Sequence, residues 1–353
     1  MLLKNNLSEV ILQRLTKNST YTNVGLLNGL AGESLYFFYR SYLFDEEASF
    51  EKAVAKLHKV IEAVENDFSH ANFYNGIAGI GWMISHLNKE GIVEIDIEDF
   101  LDTSVDTFLY QQMISCLNKN LYDFFYGASG ICYYFINRYA TTENKILKEN
   151  YKNYIIHFLF YMEYNGVNDS NGMHWKHNYY PFENDGISYQ LSSQTNISAV
   201  IMILVEIISL HDFNPICIPL LEKSSNWLIN SLENSQQVTI DQALSLWKAS
   251  SVLHDRKLEE KSLELLKNIT SSLNEESGIS LFKYALIYKK IGQQKNHHFF
   301  TEKAKEYFKK AAILFANEDN TDLSIWKGNS GVGLADLTFS HDLNMEWTKC
   351  MLI

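Results

Sequence analysis

A Gly-x-x-Gly pattern that returns at nearly constant spacing constrains the fold of this chain more than any other feature. It occurs in Leu27-Asn28-Gly29-Leu30-Ala31-Gly32-Glu33, Tyr74-Asn75-Gly76-Ile77-Ala78-Gly79, Tyr126-Gly127-Ala128-Ser129-Gly130-Ile131 and Lys327-Gly328-Asn329-Ser330-Gly331-Val332. From Gly29 to Gly76 and from Gly76 to Gly127 the steps are 47 and 51 residues, and the 201 residues from Gly127 to Gly328 hold about four more. Self-similarity at such a period marks a repeat architecture. A unit of this length has room for two helices and two loops at 1.5 Å rise per residue.

Each motif opens an apolar run: Leu35-Tyr36-Phe37-Phe38, Trp82-Met83-Ile84, Cys132-Tyr133-Tyr134-Phe135 and Leu334-Ala335-Asp336-Leu337. Runs apolar around most of a helix predict buried helices. Between them lie segments with one apolar stripe. Ala304, Tyr307, Phe308, Ala311 and Phe315 form one such face opposite Lys303, Glu306, Lys309 and Lys310, and Val54, Leu57, Ile61 and Val64 form another. Three more apolar runs keep the period without glycine: Gln194-Thr195-Asn196-Ile197, Trp247-Lys248-Ala249-Ser250 and Ser280-Leu281-Phe282-Lys283. Counting these gives about seven helix pairs. The expectation is an all-α fold in which inner buried and outer amphipathic helices form one domain over residues 1–353, with the glycine segments all at one end of the inner helices. The glycines have two readings. They permit positive φ and close approach at a loop-to-helix junction, or they leave helix amides free to hold an anion.

Only three prolines, Pro181, Pro215 and Pro219, interrupt the chain, as uninterrupted helices require. A net charge of −12 repels phosphate backbones and argues against a nucleic-acid partner. Cys116, Cys132, Cys217 and Cys350 form neither a CxxC pair nor a dense framework, so a reducing cytoplasm is the expected setting. The stretch from Met1 to Leu15 carries Lys4, Glu9 and Arg14 and lacks a clean secretory apolar region. Ile197 to Leu210, broken by Glu206, falls short of the ~20 residues of a membrane span and reads as a buried helix.

The segment Tyr122-Asp123-Phe124-Phe125-Tyr126-Gly127-Ala128-Ser129-Gly130-Ile131, set in this repeat, resembles the Tyr-Asp-x-x-x-Gly-x-x-Gly-Ile segment of the LanC-like (lanthionine synthetase C-like) family. That resemblance spans nearly the whole chain. It implies an α/α toroid of seven inner and seven outer helices, and a place in lanthipeptide biosynthesis, where the family closes thioether rings in ribosomally made peptides. A modified precursor peptide and a dehydratase or another biosynthetic enzyme are the partners it implies. Family cyclases hold zinc with a cysteine in a Trp-Cys-Tyr-Gly segment and a Cys-His pair in the next repeat, and a histidine in an Ala-His-Gly segment assists proton transfer. Here Trp247 matches the tryptophan, Lys248 stands for the cysteine, Phe282 and Lys283 for the Cys-His pair, and Thr195 for the histidine. Asp123 alone matches a family catalytic residue. Zinc would lower the pKa of a substrate thiol and needs about four donors, which these residues do not supply, so no metal and no cofactor are expected. Asp123 as the catalytic residue, with Trp247, Lys248, Phe282, Lys283 and Thr195 as peptide-binding residues, is expected at the junctions that open inner helices.

Alternatives stay open at this stage. Asp123 is equally suited to capping a helix or anchoring a loop. His174 and His177, the pair His297-His298, and His254 beside Asp255 read as solvated or locally bonded rather than as metal ligands. Asn171 to Gln190 reads as a surface loop or as a rim over the ring's mouth. Three functions compete: a peptide-binding pseudo-cyclase, a metal-independent cyclase, and a carbohydrate-active enzyme. In the second, Lys248 and Lys283 would stabilise a thiolate while Asp123 moves a proton. The third would pair Asp123 with Asp185 or Glu183. A fold does not assign chemistry, and the register of Tyr122-Asp123 favours the peptide readings. Two of these functions are enzymatic and one is not.

Overall fold

The computed structural model describes residues 4–17, 23–66, 70–176, 178, 193–233, 238–269 and 277–353. Among these residues, seven buried helices occur: α2 (Leu30–Phe44), α4 (Ile77–Lys89), α7 (Ala128–Thr141), α9 (Ser193–Ile208), α11 (Ile240–Leu253), α13 (Gly278–Lys295) and α15 (Asn329–Ser340). They alternate with seven helices that bury one stripe: α1 (Lys4–Lys17), α3 (Glu47–Glu65), α6 (Thr103–Asn118), α8 (Lys145–Asn165), α10 (Asn214–Leu232), α12 (Arg256–Ile269) and α14 (His298–Asn317). A short α5 (Ile97–Phe100) and a closing 3₁₀ helix (Glu346–Met351) complete the helices. The fold is all-α, as the repeat predicts. The only strands among the described residues are β1 (Val167–Asp169) and β2 (Gly172–His174), an antiparallel hairpin pairing Val167 with His174. Gly172 has φ of +136° and lies so close to the Lys223 carbonyl that a side chain would not fit.

The chain divides into two compact units, Met1–Ile97 with Asn274–Ile353, and Glu98–Leu273. In the first, α2 packs on α3, α13 on α14, and α15 on α1. The α13–α14 pair shows how burial drives this: Phe300, Ala304, Tyr307, Ala311 and Phe315 recur on one face of α14 and are buried. Each large side chain so buried contributes roughly 1.5–3 kcal/mol. On α3 the buried stripe is Ala53, Leu57 and Val60. It is rotated slightly from the expected face, leaving Val54, Ile61 and Val64 half-buried at its edge. In the second unit, α7 packs on α8, α9 on α10 and α11 on α12. Helix α9 is the buried helix expected from the apolar run, with Ile201, Ile203, Leu204 and Ile207 fully enclosed. Pro215 opens α10, and the helix runs on through Pro219. Among the described residues no helix is long and apolar enough to cross a membrane.

The glycine loops of the first unit lie side by side. The Leu27 amide donates to the Tyr74 carbonyl at 2.9 Å and the Trp326 amide to the Leu27 carbonyl at 3.0 Å. Gly29, Gly76 and Gly328 therefore open α2, α4 and α15 from neighbouring loops within the first unit. Gly127 opens α7 in the second unit.

Candidate functional site

One loop design precedes each glycine-opened helix. The first helical amide, of Leu30, Ile77, Ala128 and Asn329, donates to the carbonyl of Asn23, His70, Leu121 and Asp322 respectively, always seven residues back and at 2.8–2.9 Å. The next amide repeats this in α2, α4 and α15, where Ala31, Ala78 and Ser330 donate to Val24, Ala71 and Leu323. Ser129 and Ser330 add their hydroxyls to the carbonyls of Tyr122 and Leu323. The cap glycines have φ between −155° and −103°, so positive φ is not their purpose. They are glycines because the chain folds back on itself: a Cβ on Gly76 would lie 2.5 Å from the His70 oxygen, and one on Gly331 would lie 1.9 Å from that of Ile325. With the leading amides bonded to carbonyls, these helix starts are closed as anion sites.

Asp123 stands four residues before its cap glycine and is 6% exposed. Its Oδ1 accepts the Tyr126 amide at 2.7 Å. Asn72 holds the Asn75 amide at 2.9 Å and Ser324 the Lys327 amide at 3.1 Å from the same place in their loops. Three different acceptors thus do one job, and Asp123 is a loop anchor by position. Burial pushes its carboxyl up, against the amides of Tyr126, Phe125 and Gly127 that favour the charged form.

The other predicted site residues are not at helix openings. Helix α11 starts at Ile240, where Thr239 and Gln242 form a capping box, so Trp247 and Lys248 lie in its third turn. Trp247 is 2% exposed, and its indole N–H is buried without a partner. Lys248 faces Glu206 of α9 at 4.0 Å, both half-buried. Helix α13 starts at Gly278 behind the Ser277 cap, which puts Phe282 and Lys283 in its second turn. Phe282 is core, edge-on to Phe308 and Phe315. The Lys283 ammonium lies 4.9 Å from the ring centre of Trp326 in the loop before α15. Phe282 and Lys283 belong to the first unit, and Asp123, Trp247 and Lys248 to the second. Thr195 is in the first turn of α9, and its side chain lies outside the described residues. At the openings of α11 and α13 a side-chain cap, Thr239 or Ser277, stands where α2, α4, α7 and α15 have a glycine.

Lys248, Phe282 and Lys283 offer zinc no normal donor, and among the described residues no three His, Cys, Asp or Glu side chains come together as a metal site. The thiols stand in helices, with Cys116 pushed up to about 11 by burial and Cys132, Cys217 and Cys350 higher still, opposite to what a zinc thiolate needs. His174 stacks on Trp227 with Asp169 3.6 Å away. His254 is the left-handed C-cap of α11 and His297 the N-cap residue of α14. Of the Asn171–Gln190 segment, Trp175 is buried with its indole N–H on the Met162 carbonyl. His177, Pro181, Glu183 and Asp185 lie outside the described residues.

Two buried polar groups escaped the sequence reading. Asp106 of α6 accepts the Tyr134 and Tyr151 hydroxyls, each at 2.6 Å, and Arg138 donates to Tyr151 at 3.1 Å. Tyr39 and His86 meet at 2.6 Å between α2 and α4, with His86 stacked on Trp82. The signal was a charged residue on an otherwise apolar helix face, visible at Asp106 and Arg138 only once the faces are known.

Residues 20–189 match the family model described as lanthionine synthetase C-like protein. No curated protein matches the chain. The matched stretch holds three of the four glycine loops and Tyr122-Asp123, and the alternation of helices continues past it to α15. By that match residues 20–189 are similar to the LanC-like family, and the helix order of the chain is that of an all-α fold.

Proposed function

We propose that this chain is a LanC-like protein that binds a modified precursor peptide as a pseudo-cyclase, one toroidal domain in the cytoplasm that serves a dehydratase or another enzyme of the pathway. The observation that carries this is the state of Asp123. A group that moves a proton must reach its substrate, and this one is enclosed and hydrogen-bonded to its own loop, where Asn72 and Ser324 serve equally well elsewhere. The lysines support the same reading. Lys248 has Glu206 as counter-charge and Lys283 has the Trp326 ring, so neither is the isolated cation that a zinc-free thiolate would require. Lys283 with Trp326 is the proposed peptide contact of the first unit, and Lys248 and Thr195 are those proposed for the second. Trp247 and Phe282 shape the helices behind them.

The test is titration of a dehydrated precursor peptide, with affinity, thioether formation and zinc content measured on untagged protein. Wild type is expected to bind without forming rings and to carry less than stoichiometric zinc. Asp123→Asn should bind as wild type, and Lys283→Ala about fivefold more weakly. Ring formation by wild type that is lost in Asp123→Asn would overturn the reading.

A further inference from the structure

Helix α8 carries the apolar side chains that the second unit leaves in solvent. Ile146, Phe160 and Tyr164 are 74%, 52% and 88% exposed, and among the described residues they are the large exposed hydrophobics of that unit. On a helix of 3.6 residues per turn, Ile146 and Tyr164 are five turns apart and share one side with Phe160. The strip is backed by a stiff shelf: Tyr110 of α6 stacks on Tyr154 at 4.2 Å and its hydroxyl meets His157 Nδ1 at 2.7 Å. Rigid aromatic surface of this kind is what protein interfaces use as anchors.

The charges on the same strip say what covers it. Lys145 and Glu163 are exposed and likewise five turns apart, so they share one flank. Each stands at the wrong end of its helix, with the lysine in the first turn and the glutamate in the last, against the macrodipole. A second α8 laid antiparallel removes both conflicts. A two-fold axis across the helix near Tyr154 and Ile155 brings each Lys145 onto Glu163 of the other copy, and the same axis brings each Ile146 onto the other Tyr164. An isologous interface of this kind is self-complementary by symmetry.

We propose that the exposed face of α8 is the surface through which two copies of this chain pair as an antiparallel dimer. The proposal is independent of the peptide-binding reading. Sedimentation velocity of the full chain from low to high micromolar concentration tests it. Wild type is expected to pass from monomer to dimer, and Phe160→Asp to stay monomeric. Glu163→Lys should weaken the dimer about tenfold by setting lysine against lysine, and adding Lys145→Glu should restore it. Because each charge reversal relieves a conflict with the helix's own dipole, circular dichroism should show helix content unchanged or raised, which separates lost pairing from lost folding. A wild type that is monomeric throughout, or a Phe160→Asp variant that dimerises normally, would overturn the proposal. Failure of the double reversal to restore pairing would overturn the antiparallel register.

Discussion

His86 shows what burial does to a single titratable side chain. It is 4% exposed, bonded to Tyr39 and stacked on Trp82, and burial lowers its pKa to about 4, with Glu346 opposing and Lys349 and Lys89 reinforcing the shift. The unfolded chain, with its histidine near 6.5, binds more protons than the folded chain between those values. Stability is therefore complete above about pH 6.5 and falls as the pH drops toward 4, by up to about 3 kcal/mol. Urea midpoints measured from pH 7 to pH 4 should show this slope in wild type and a shallower one in His86→Gln. Equal slopes would show that His86 is not the group responsible. Asp123 teaches the complementary lesson at the same scale. Its residue type and segment were legible in the sequence, but its occupation by the Tyr126 amide was not, because a buried aspartate in a loop is written the same way whether it anchors or reacts.

For the elements, two effects compete at the second glycine of each motif. Alanine is better than glycine inside a helix by about 1 kcal/mol, so propensity alone favours Gly331→Ala. The added Cβ would lie 1.9 Å from the Ile325 carbonyl oxygen, a backbone atom that cannot step aside as a flexible side chain would. The clash should win, leaving the variant about 2 to 4 kcal/mol less stable, and a variant as stable as wild type in thermal or urea unfolding would show that the loop yields freely. This contact also explains which helices were legible. Gly29, Gly76, Gly127 and Gly328 announce their helices because the fold-back admits only glycine. Helices α11 and α13 begin with Thr239 and Ser277 side-chain caps, which are common residues in many settings. Their apolar runs are legible in the sequence but their starts are not, and Trp247, Lys248, Phe282 and Lys283 lie inside these helices rather than at their openings.

At the scale of the whole molecule, the first unit joins the two ends of the sequence. Arg14 of α1 donates to the carbonyls of Phe315 and Glu318 at the end of α14 and lies over the Phe315 ring. Those residues are about three hundred positions away in sequence, and repeat periodicity says nothing of such a closure. Arg14→Ala removes a charge-assisted pair of bonds at a helix C-terminus and should cost about 2 kcal/mol, whereas Arg14→Lys should recover part of that. A thermal melt that is the same for all three proteins would assign the closure to apolar packing of Leu7, Ile11 and Leu15 alone. The glycine loops bear on the molecule in another way. A carbonyl returned seven residues later to the first helical amide acts as a ruler, so one residue gained or lost between them leaves that amide without its acceptor. The loops ahead of α2, α4, α7 and α15 are fixed in length for this reason. Helices begun by a side-chain cap carry no such ruler, so a residue inserted ahead of Thr239 or Ser277 should be tolerated better than one placed inside a seven-residue glycine loop.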